Sequence, residues 1–298
     1  MARQTEGTFV PVSIPPLNVA KLLKQYGLRP NKSLGQNFLV DEAALKRVMA
    51  AAEIEPQDVV LEVGPGLGSL TRLLAQAARR VVAVELDEKL LAPLAEVLAP
   101  FSNVKVVQGD ILELDVGALL AEEIAPGQTY LAAANIPYYI TSALLRHLLE
   151  AQPQPRRMVF TVQHEVAKRV TAEPGDLSLL ALSVQVYGAA SVAAFIPAGA
   201  FYPAPKVDSA VVRVDLYQTP RIPGDQLDLF FRLAKAGFSQ RRKTLRNSLS
   251  GGMAWPKARA EALLVQANID PQRRAETLAI EEWGQLAAAV SEAGETQI

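Results

Sequence analysis

Residues 135–140 (NIPYYI) carry side chains that could act on an amine. They lie between an apolar, strand-like run and a helical pattern, which predicts a loop at the carboxyl edge of a sheet, where α/β proteins bind ligands. The Asn135 carboxamide oxygen and the Ile136 carbonyl, held extended before Pro137, could accept both hydrogens of one amino group beside the Tyr138 ring. Two such acceptors would relieve the positive charge that builds up on a nucleobase amine while its nitrogen attacks an electrophile. The same residues are also compatible with a plain strand-to-helix turn.

The composition of the 298-residue chain is that of a globular protein, with half of its residues apolar and a fifth charged. This length is comfortable for two domains. The net charge of −1 argues against indiscriminate coating of nucleic acid but allows a local basic face. The absence of cysteine excludes disulfides, cysteine-ligated metals and covalent thiol mechanisms. With only His147 and His164 as further candidate ligands, we expect no metal site.

The start of the chain lacks a cationic region followed by an apolar core, so we expect no signal peptide and a cytoplasmic location. The uncharged stretch 178–205 is the one candidate for a membrane span. Its Gln, Gly and Pro residues argue against a span, and a core helix followed by a buried strand explains it better.

The elements that must position the 135–140 loop alternate between strand and helix from residue 58 onward, which predicts a doubly wound, mostly parallel sheet of the Rossmann-like α/β class. The predicted strands are 59–63, 81–85, 104–108, 130–134 and 158–162. The predicted helices are 69–78, 87–98, 116–122, 141–150 and 165–171. Three further segments, 177–187, 192–196 and 210–216, are expected to complete the sheet, with antiparallel members allowed.

The two ends of the chain differ from this alternating part. Residues 1–16 have no periodicity and predict a loose arm, and an amphipathic helix over 19–26 follows. Asp41 is placed to cap a helix that continues through Ala52. We predict an α/β domain over 1–217, which would hold the ligand site, and a smaller, all-helical domain over 218–298. The helices of that second domain are predicted at 227–238, 243–250, 256–268 and 280–293.

Three ligand-type groups follow three successive predicted strands. The glycines of 64–68 (GPGLG) would let backbone approach a ligand at a helix N-terminus. Glu85 ends the second strand, where an acid typically holds ribose hydroxyls, and Asp110 follows the third, where it could accept from an adenine amine. S-adenosylmethionine fits this pattern. NAD is the alternative, although the G-x-G-x-G spacing is not that of a pyrophosphate loop, and a purely structural glycine turn is a third interpretation.

Six runs of the sequence resemble the ribosomal RNA adenine dimethyltransferases, in the bacterial branch that acts near the 3′ end of 16S rRNA. They follow the order of that family and span almost the whole chain: 33–39 (SLGQNFL), 62–68 (EVGPGLG), 135–140 (NIPYYI), 163–169 (QHEVAKR), 200–209 (AFYPAPKVDS) and 238–247 (FSQRRKTLRN). Two departures concern the RNA-facing side: His164 stands where the family is expected to have Lys, and 174–178 lacks the usual Tyr-Gly.

The resemblance implies the roles of individual residues. Contacts to S-adenosylmethionine are expected from Gln36, Asn37, Leu39, Gly64, Gly66, Glu85, Asp110 and Asn135. Asn135, Pro137, Tyr138 and Phe201 are expected at the target adenine, with Phe201 as a second aromatic wall. Taken without the family, the segment 32–39 is favoured as a connector and Phe201 as a core aromatic.

RNA binding needs positive charge, which is concentrated late in the chain. Between residues 202 and 259 there are eleven Lys and Arg against four acidic residues, a net charge of +7. Such residues usually form a solvated helix face, but beside a base-methylating site phosphate contact becomes the better interpretation. The predicted RNA contacts are Lys206, Arg241, Arg242, Lys243 and Arg246.

The resemblance implies that two adjacent adenines of small-subunit rRNA are each methylated twice in an assembling ribosomal subunit, with no membrane or metal involved. We expect a monomer. One alternative is the related large-subunit methyltransferase that confers macrolide resistance, and another is a non-catalytic assembly factor that binds the subunit. An NAD dehydrogenase is the third, and it lacks a plausible hydride-transfer acid–base pair near the loop.

Overall fold

The computed structural model describes residues 14–240 and 242–294. Within these residues the chain forms nine strands, seven of them in one sheet and two in a separate short pair. The strands are β1 (Phe38–Leu39), β2 (Val59–Val63), β3 (Arg80–Glu85), β4 (Val104–Gln108), β5 (Leu131–Asn135), β6 (Arg157–Gln163), β7 (Gly188–Ile196), β8 (Phe201–Tyr202) and β9 (Ser209–Leu216).

The large sheet has the order β4-β3-β2-β5-β6-β9-β7. Its first five strands are mutually parallel, while β9 runs antiparallel to both β6 and β7. The chain winds outward from β2 through β3 to β4 and then returns to β5 on the other side of β2. That reversal opens a crevice between the carboxyl ends of β2 and β5, which is where open α/β sheets bind ligands.

Twelve α-helices surround the sheet or follow it in the described part of the chain. They are α1 (Val19–Gln25), α2 (Glu42–Ala52), α3 (Thr71–Ala77), α4 (Glu88–Leu98), α5 (Val116–Leu120), α6 (Thr141–Glu150), α7 (His164–Val170), α8 (Leu179–Gln185), α9 (Leu227–Phe238), α10 (Leu245–Gly252), α11 (Lys257–Gln266) and α12 (Ile280–Glu292). None of these helices combines the length and the apolar character that crossing a membrane requires.

The central strands β2, β3 and β5 are buried on both faces because their successive side chains alternate between two cores. Leu61 of β2 packs into a core with α6 and α7, whereas its neighbour Val60 packs into a second core with α2 and α3. Burial on both faces explains why these central strands are near-continuous runs of Val, Leu and Ala rather than alternating patterns.

The predicted fold class, a doubly wound Rossmann-like sheet with a helical C-terminal part, is confirmed. The antiparallel members at 192–196 and 210–216 are also present, as β7 and β9. The prediction that 177–187 joins the sheet is wrong, whereas the core helix predicted within 178–205 is present as α8. The strand that follows it, β7, is largely exposed and not buried as predicted. Ser178 begins α8 by accepting a hydrogen bond from the Ala181 N–H at 3.2 Å, and an apolar run alone does not distinguish a buried strand from a buried helix.

Helices α9 to α12 pack around a further core that contains the fully buried Trp283 and Phe230. Gly237 of α9 is needed there because a methyl group at that position would lie 2.4 Å from Cη2 of Trp283. The same core includes Leu182 and Val186, which belong to α8 and its end. The division of the chain at residue 217 stays a prediction, and most of the predicted arm over 1–16 lies outside the described residues.

Candidate active site

A cavity of about 380 Å³ lies at the carboxyl edge of the sheet, between the ends of β2 and β5. The cavity brings together every residue that the sequence assigned to cofactor or target base. These lining residues are Gln36, Asn37, Leu39, Gly64, Gly66, Glu85, Asp110, Asn135, Pro137, Tyr138 and Phe201.

The glycine turn after β2 is shaped by backbone conformation and by a close aromatic neighbour. Gly64 and Gly66 have φ values of +69° and +57°, which L side chains rarely adopt. A methyl group at Gly66 would also lie 2.9 Å from Cε1 of Phe38. The turn therefore places backbone, without side chains, along one wall of the cavity.

Glu85 is fixed at the end of β3 by two backbone donors. The Gly66 N–H donates to Glu85 Oε2 at 2.9 Å, and the Asp87 N–H donates to Oε1 at 2.8 Å. Burial raises the pKa of Glu85, while these hydrogen bonds favour its charged form. The carboxylate is thus held in one orientation beside the glycine turn, and each oxygen keeps a lone pair for a hydroxyl donor.

The segment before β1 closes one side of the cavity through Gln36. Its Nε2 donates to Asp87 Oδ2 at 2.7 Å, and its Oε1 accepts from the Asn31 N–H at 2.7 Å. Both polar ends of Gln36 are therefore occupied by the protein itself. Asp110, which follows β4, accepts from the Leu112 N–H at 2.9 Å through Oδ1.

Glu62 of β2 is a cavity residue that the sequence analysis did not single out, although it begins the glycine motif. It is 1% exposed, and its Oε2 has no hydrogen-bond partner among the described residues. Burial, reinforced by the negative charge of Glu85, raises the pKa of Glu62 to about 8. Thr71 lies close enough to favour the charged form, but its hydroxyl does not reach hydrogen-bond geometry with the carboxyl.

Asn135 is oriented by one hydrogen bond. Its Nδ2 donates to the backbone carbonyl of Asn37 at 2.8 Å, and the Asn37 side chain in turn donates to the Gly35 carbonyl at 3.0 Å. A carbonyl can accept only from the nitrogen end of the carboxamide, so this contact fixes which way the amide points. The Oδ1 atom of Asn135 is left as an available acceptor at the end of β5.

The two predicted aromatic walls are held by different parts of the structure. The hydroxyl of Tyr138 lies 2.8 Å from Oγ of Ser209, a fully buried residue at the start of β9 that was not predicted as a site residue. Phe201 is 5% exposed and packs into the core beside α2 while also lining the cavity. Strands β1 and β8 pair antiparallel and join Leu39 to Phe201.

The predicted RNA contacts lie outside the cavity, and they differ in their exposure and in their ion pairs. Lys206, Arg242 and Lys243 are exposed. Arg246 forms an ion pair with Glu261, with 3.0 Å between Nη1 and Oε2. Arg241 lies outside the described residues. In the part of the chain that the structure describes, no group of three His, Cys, Asp or Glu side chains could hold a metal ion.

The comparisons with known proteins agree on one family. The model of a family described as "Ribosomal RNA adenine dimethylase" matches residues 27–292. Two relatives carry the name "Ribosomal RNA small subunit methyltransferase A". One, from Dehalococcoides mccartyi, is 46% identical over 272 residues, which are 91% of this chain and 92% of the relative. The other, from Geobacillus kaustophilus, is 41% identical over 281 residues, 93% and 96% of the two chains.

Solved structures extend this likeness. The crystal structure of the 23S rRNA methyltransferase ErmE is 30% identical, has a TM-score of 0.68 and covers 86% of this chain and all of its own. A dimethyladenosine transferase from Plasmodium falciparum shares the fold, with a TM-score of 0.73, 23% identity and coverage of 86% and 98%. Because the family model and relatives above 40% identity span nearly the entire chain, the chain belongs to the ribosomal RNA adenine dimethylases, a family of methyltransferase enzymes.

Proposed function

We propose that this protein transfers methyl groups from S-adenosylmethionine to the exocyclic amines of two adjacent adenines near the 3′ end of small-subunit ribosomal RNA, in an assembling subunit. The names of the relatives support a small-subunit substrate. The orientation of Asn135 carries the proposal, because its amide nitrogen is taken by Asn37 and its oxygen remains to accept from an amine. Because its substrate is an assembling ribosomal subunit, we propose that the protein acts in the cytoplasm. We also propose that it acts as a monomer.

The cavity suits S-adenosylmethionine because its carboxylates can accept hydrogen bonds from the ligand. In the proposal, the fixed carboxylate of Glu85 accepts from the ribose hydroxyls, and Asp110 accepts from the adenine amine. The buried carboxyl of Glu62, with an unpartnered oxygen, fits a cationic group of the methionine part. A buried polar atom without a partner is costly in a protein, which favours a ligand that supplies the missing contact.

The residues of the chain act by holding the target base. S-adenosylmethionine, when bound, supplies a methyl group on a positively charged sulfur. Asn135 Oδ1 and the Ile136 carbonyl accept the two amine hydrogens, while the Tyr138 ring, anchored at Ser209, stacks on the adenine. The base must be unpaired or flipped out to reach them. Positioning rather than acid–base chemistry then supplies most of the rate.

The test is methyl transfer from labelled cofactor to small-subunit particles whose rRNA lacks the modification. We expect label in two adjacent adenines of the small-subunit RNA and none in large-subunit RNA. Label in large-subunit RNA alone would instead assign the activity of a large-subunit methyltransferase. Binding of particles with no incorporation would leave a non-catalytic assembly factor and contradict the proposal.

We further propose that Lys206, Arg241, Arg242, Lys243 and Arg246 contact RNA phosphates. The double variant Arg242→Ala/Lys243→Ala is expected to weaken particle binding about tenfold, because two exposed cations are lost. It should also reduce the slope of log K against log salt by roughly 0.7–0.9 for each lost contact. Titration of particle binding at several salt concentrations measures both effects.

A matched control removes the same charge elsewhere. Lys21→Ala/Lys24→Ala takes two exposed lysines from α1, and we expect it to leave affinity and salt slope unchanged. Equal losses in the two double variants would mean that net charge, and not a contact at Arg242 and Lys243, determines binding.

A further inference from the structure

The two neighbouring tyrosines of the 135–140 loop take different directions. Tyr138 is half-buried and fixed through its hydroxyl to Ser209, toward β9. Tyr139 is 59% exposed and yet lines the cavity. The predicted function uses Tyr138 and assigns nothing to Tyr139, whose large exposed ring at a cavity mouth has no structural purpose in packing the core.

Tyr139 lies against the segment that closes the cofactor side of the cavity. Gly35, with a φ of +64°, ends a short 3₁₀ turn there, and a methyl group on it would lie 3.6 Å from Cδ1 and 3.7 Å from Cε1 of Tyr139. The next residue, Gln36, is tied to Asp87 beside Glu85. The ring therefore borders the end of the cavity where the two acids stand, not the end where Tyr138 meets Ser209.

The acids that act on the Tyr139 hydroxyl are those at the cofactor end of the cavity. Partial burial, followed by the negative charges of Asp110 and then Glu85, raises the pKa of Tyr139. For Tyr138, burial likewise comes first, but the acid that acts on it is Asp208. The two rings thus face different acids, on different sides of the cavity.

We propose that Tyr139 packs on the adenosine of the bound cofactor and covers the nucleoside end of the cavity, while Tyr138 serves the target base. This inference rests on the proposed function and adds to it a residue that determines cofactor affinity. An exposed ring that becomes covered by a flat nucleoside gains stacking and apolar contact. Rim placement also explains why the ring is left uncovered by protein.

The experiment measures ligand affinity without RNA or catalysis. Isothermal titration of the full chain uses S-adenosylhomocysteine and 5′-methylthioadenosine, which keeps the nucleoside and lacks the amino acid. We expect Tyr139→Ala to weaken both ligands by the same factor, roughly tenfold, because the lost contact is to the part they share. Tyr139→Phe should retain affinity within about threefold, since it keeps the ring.

The matched control is Tyr138→Ala, which should leave both affinities within about twofold. Tyr139 is exposed, so its variants should unfold at the same temperature as the natural chain, and a thermal scan checks this. Unchanged affinities in Tyr139→Ala, or equal losses in Tyr138→Ala, would overturn the inference. Failure of the natural chain to bind either ligand would instead overturn the proposed cofactor, and the inference with it.

Discussion

Asn135→Ala is expected to lower the rate of methyl transfer by about 10²–10³-fold while S-adenosylhomocysteine still binds. The variant removes an acceptor that is already aligned by the 2.8 Å contact to the Asn37 carbonyl. The loss of one preoriented polar group at a reacting atom typically costs this much. Single-turnover transfer to small-subunit particles, with cofactor saturating, measures the effect on the chemical step.

Two further measurements identify the cause of that loss. The cofactor affinity of Asn135→Ala should stay within a few-fold of that of the natural chain. A large loss of affinity together with the loss of rate would instead mean that residues 35–39 had collapsed. Particle binding should be unchanged, since the predicted phosphate contacts lie elsewhere. A variant that keeps its rate within tenfold would refute the assignment of Asn135 to the target amine.

Glu62→Gln is expected to stabilise the protein without ligand, by about 3 kcal/mol at pH 7. The unfolded chain ionises Glu62 at a pKa of 4.5, whereas in the folded protein burial raises the pKa to about 8. Folding at pH 7 therefore requires this carboxyl to take up a proton. This uptake reduces the free energy of unfolding by about 1.36 kcal/mol for each pH unit above 4.5. Glutamine is neutral throughout and avoids this cost.

The sign of the pH dependence follows from the same shift. The stability of the natural chain should fall as pH rises from about 5 to 8, since the neutral form that the buried site favours becomes scarcer in the unfolded state. The advantage of Glu62→Gln should accordingly shrink toward zero near pH 5. Urea unfolding at several pH values measures it, with Glu88→Gln, an exposed site, as the control.

A ligand bearing a cation should reverse the protonation of Glu62. Calorimetry in two buffers of different ionisation enthalpy should show proton release when S-adenosylhomocysteine binds the natural chain at pH 7, and none for Glu62→Gln. Equal proton release in the two proteins would mean that Glu62 does not meet the ligand's ammonium group.

The fold was predictable because its strong signals are local. The strands at 59–63 and 104–108 and the helix at 141–150 have the bounds predicted for them, and the first of these is an apolar run bracketed by Asp58 and by Gly64 and Pro65. The stretch 177–187 received two predictions, a core helix and a member of the sheet, because helix and strand bury an apolar run equally well. Ser178, which caps α8, was the local sign of a helix start, and the apolar run was given more weight.

The site was predictable only in part. Gly64, Glu85, Asp110 and Asn135 end or follow parallel strands in the sequence, so parallel topology brings them to one edge. Glu62 and Ser209 were missed because their importance lies in what surrounds them. A glutamate inside VVLEV gives no sign that one of its oxygens lacks a partner, and the Ser209 contact joins residues 71 positions apart.

The two-residue pairing of β1 with β8 has a mechanical consequence. Phe38 pairs with Tyr202 and Leu39 with Phe201, and the Ala200 carbonyl accepts from the N–H groups of Val40 and Asp41. Any outward swing of the segment that carries Asn37 must drag Phe201 with it. If the product nucleoside leaves past Asn37, the contact of Phe201 with the target base should weaken at the same time. The β1–β8 pairing would then couple release of the cofactor product to release of the base.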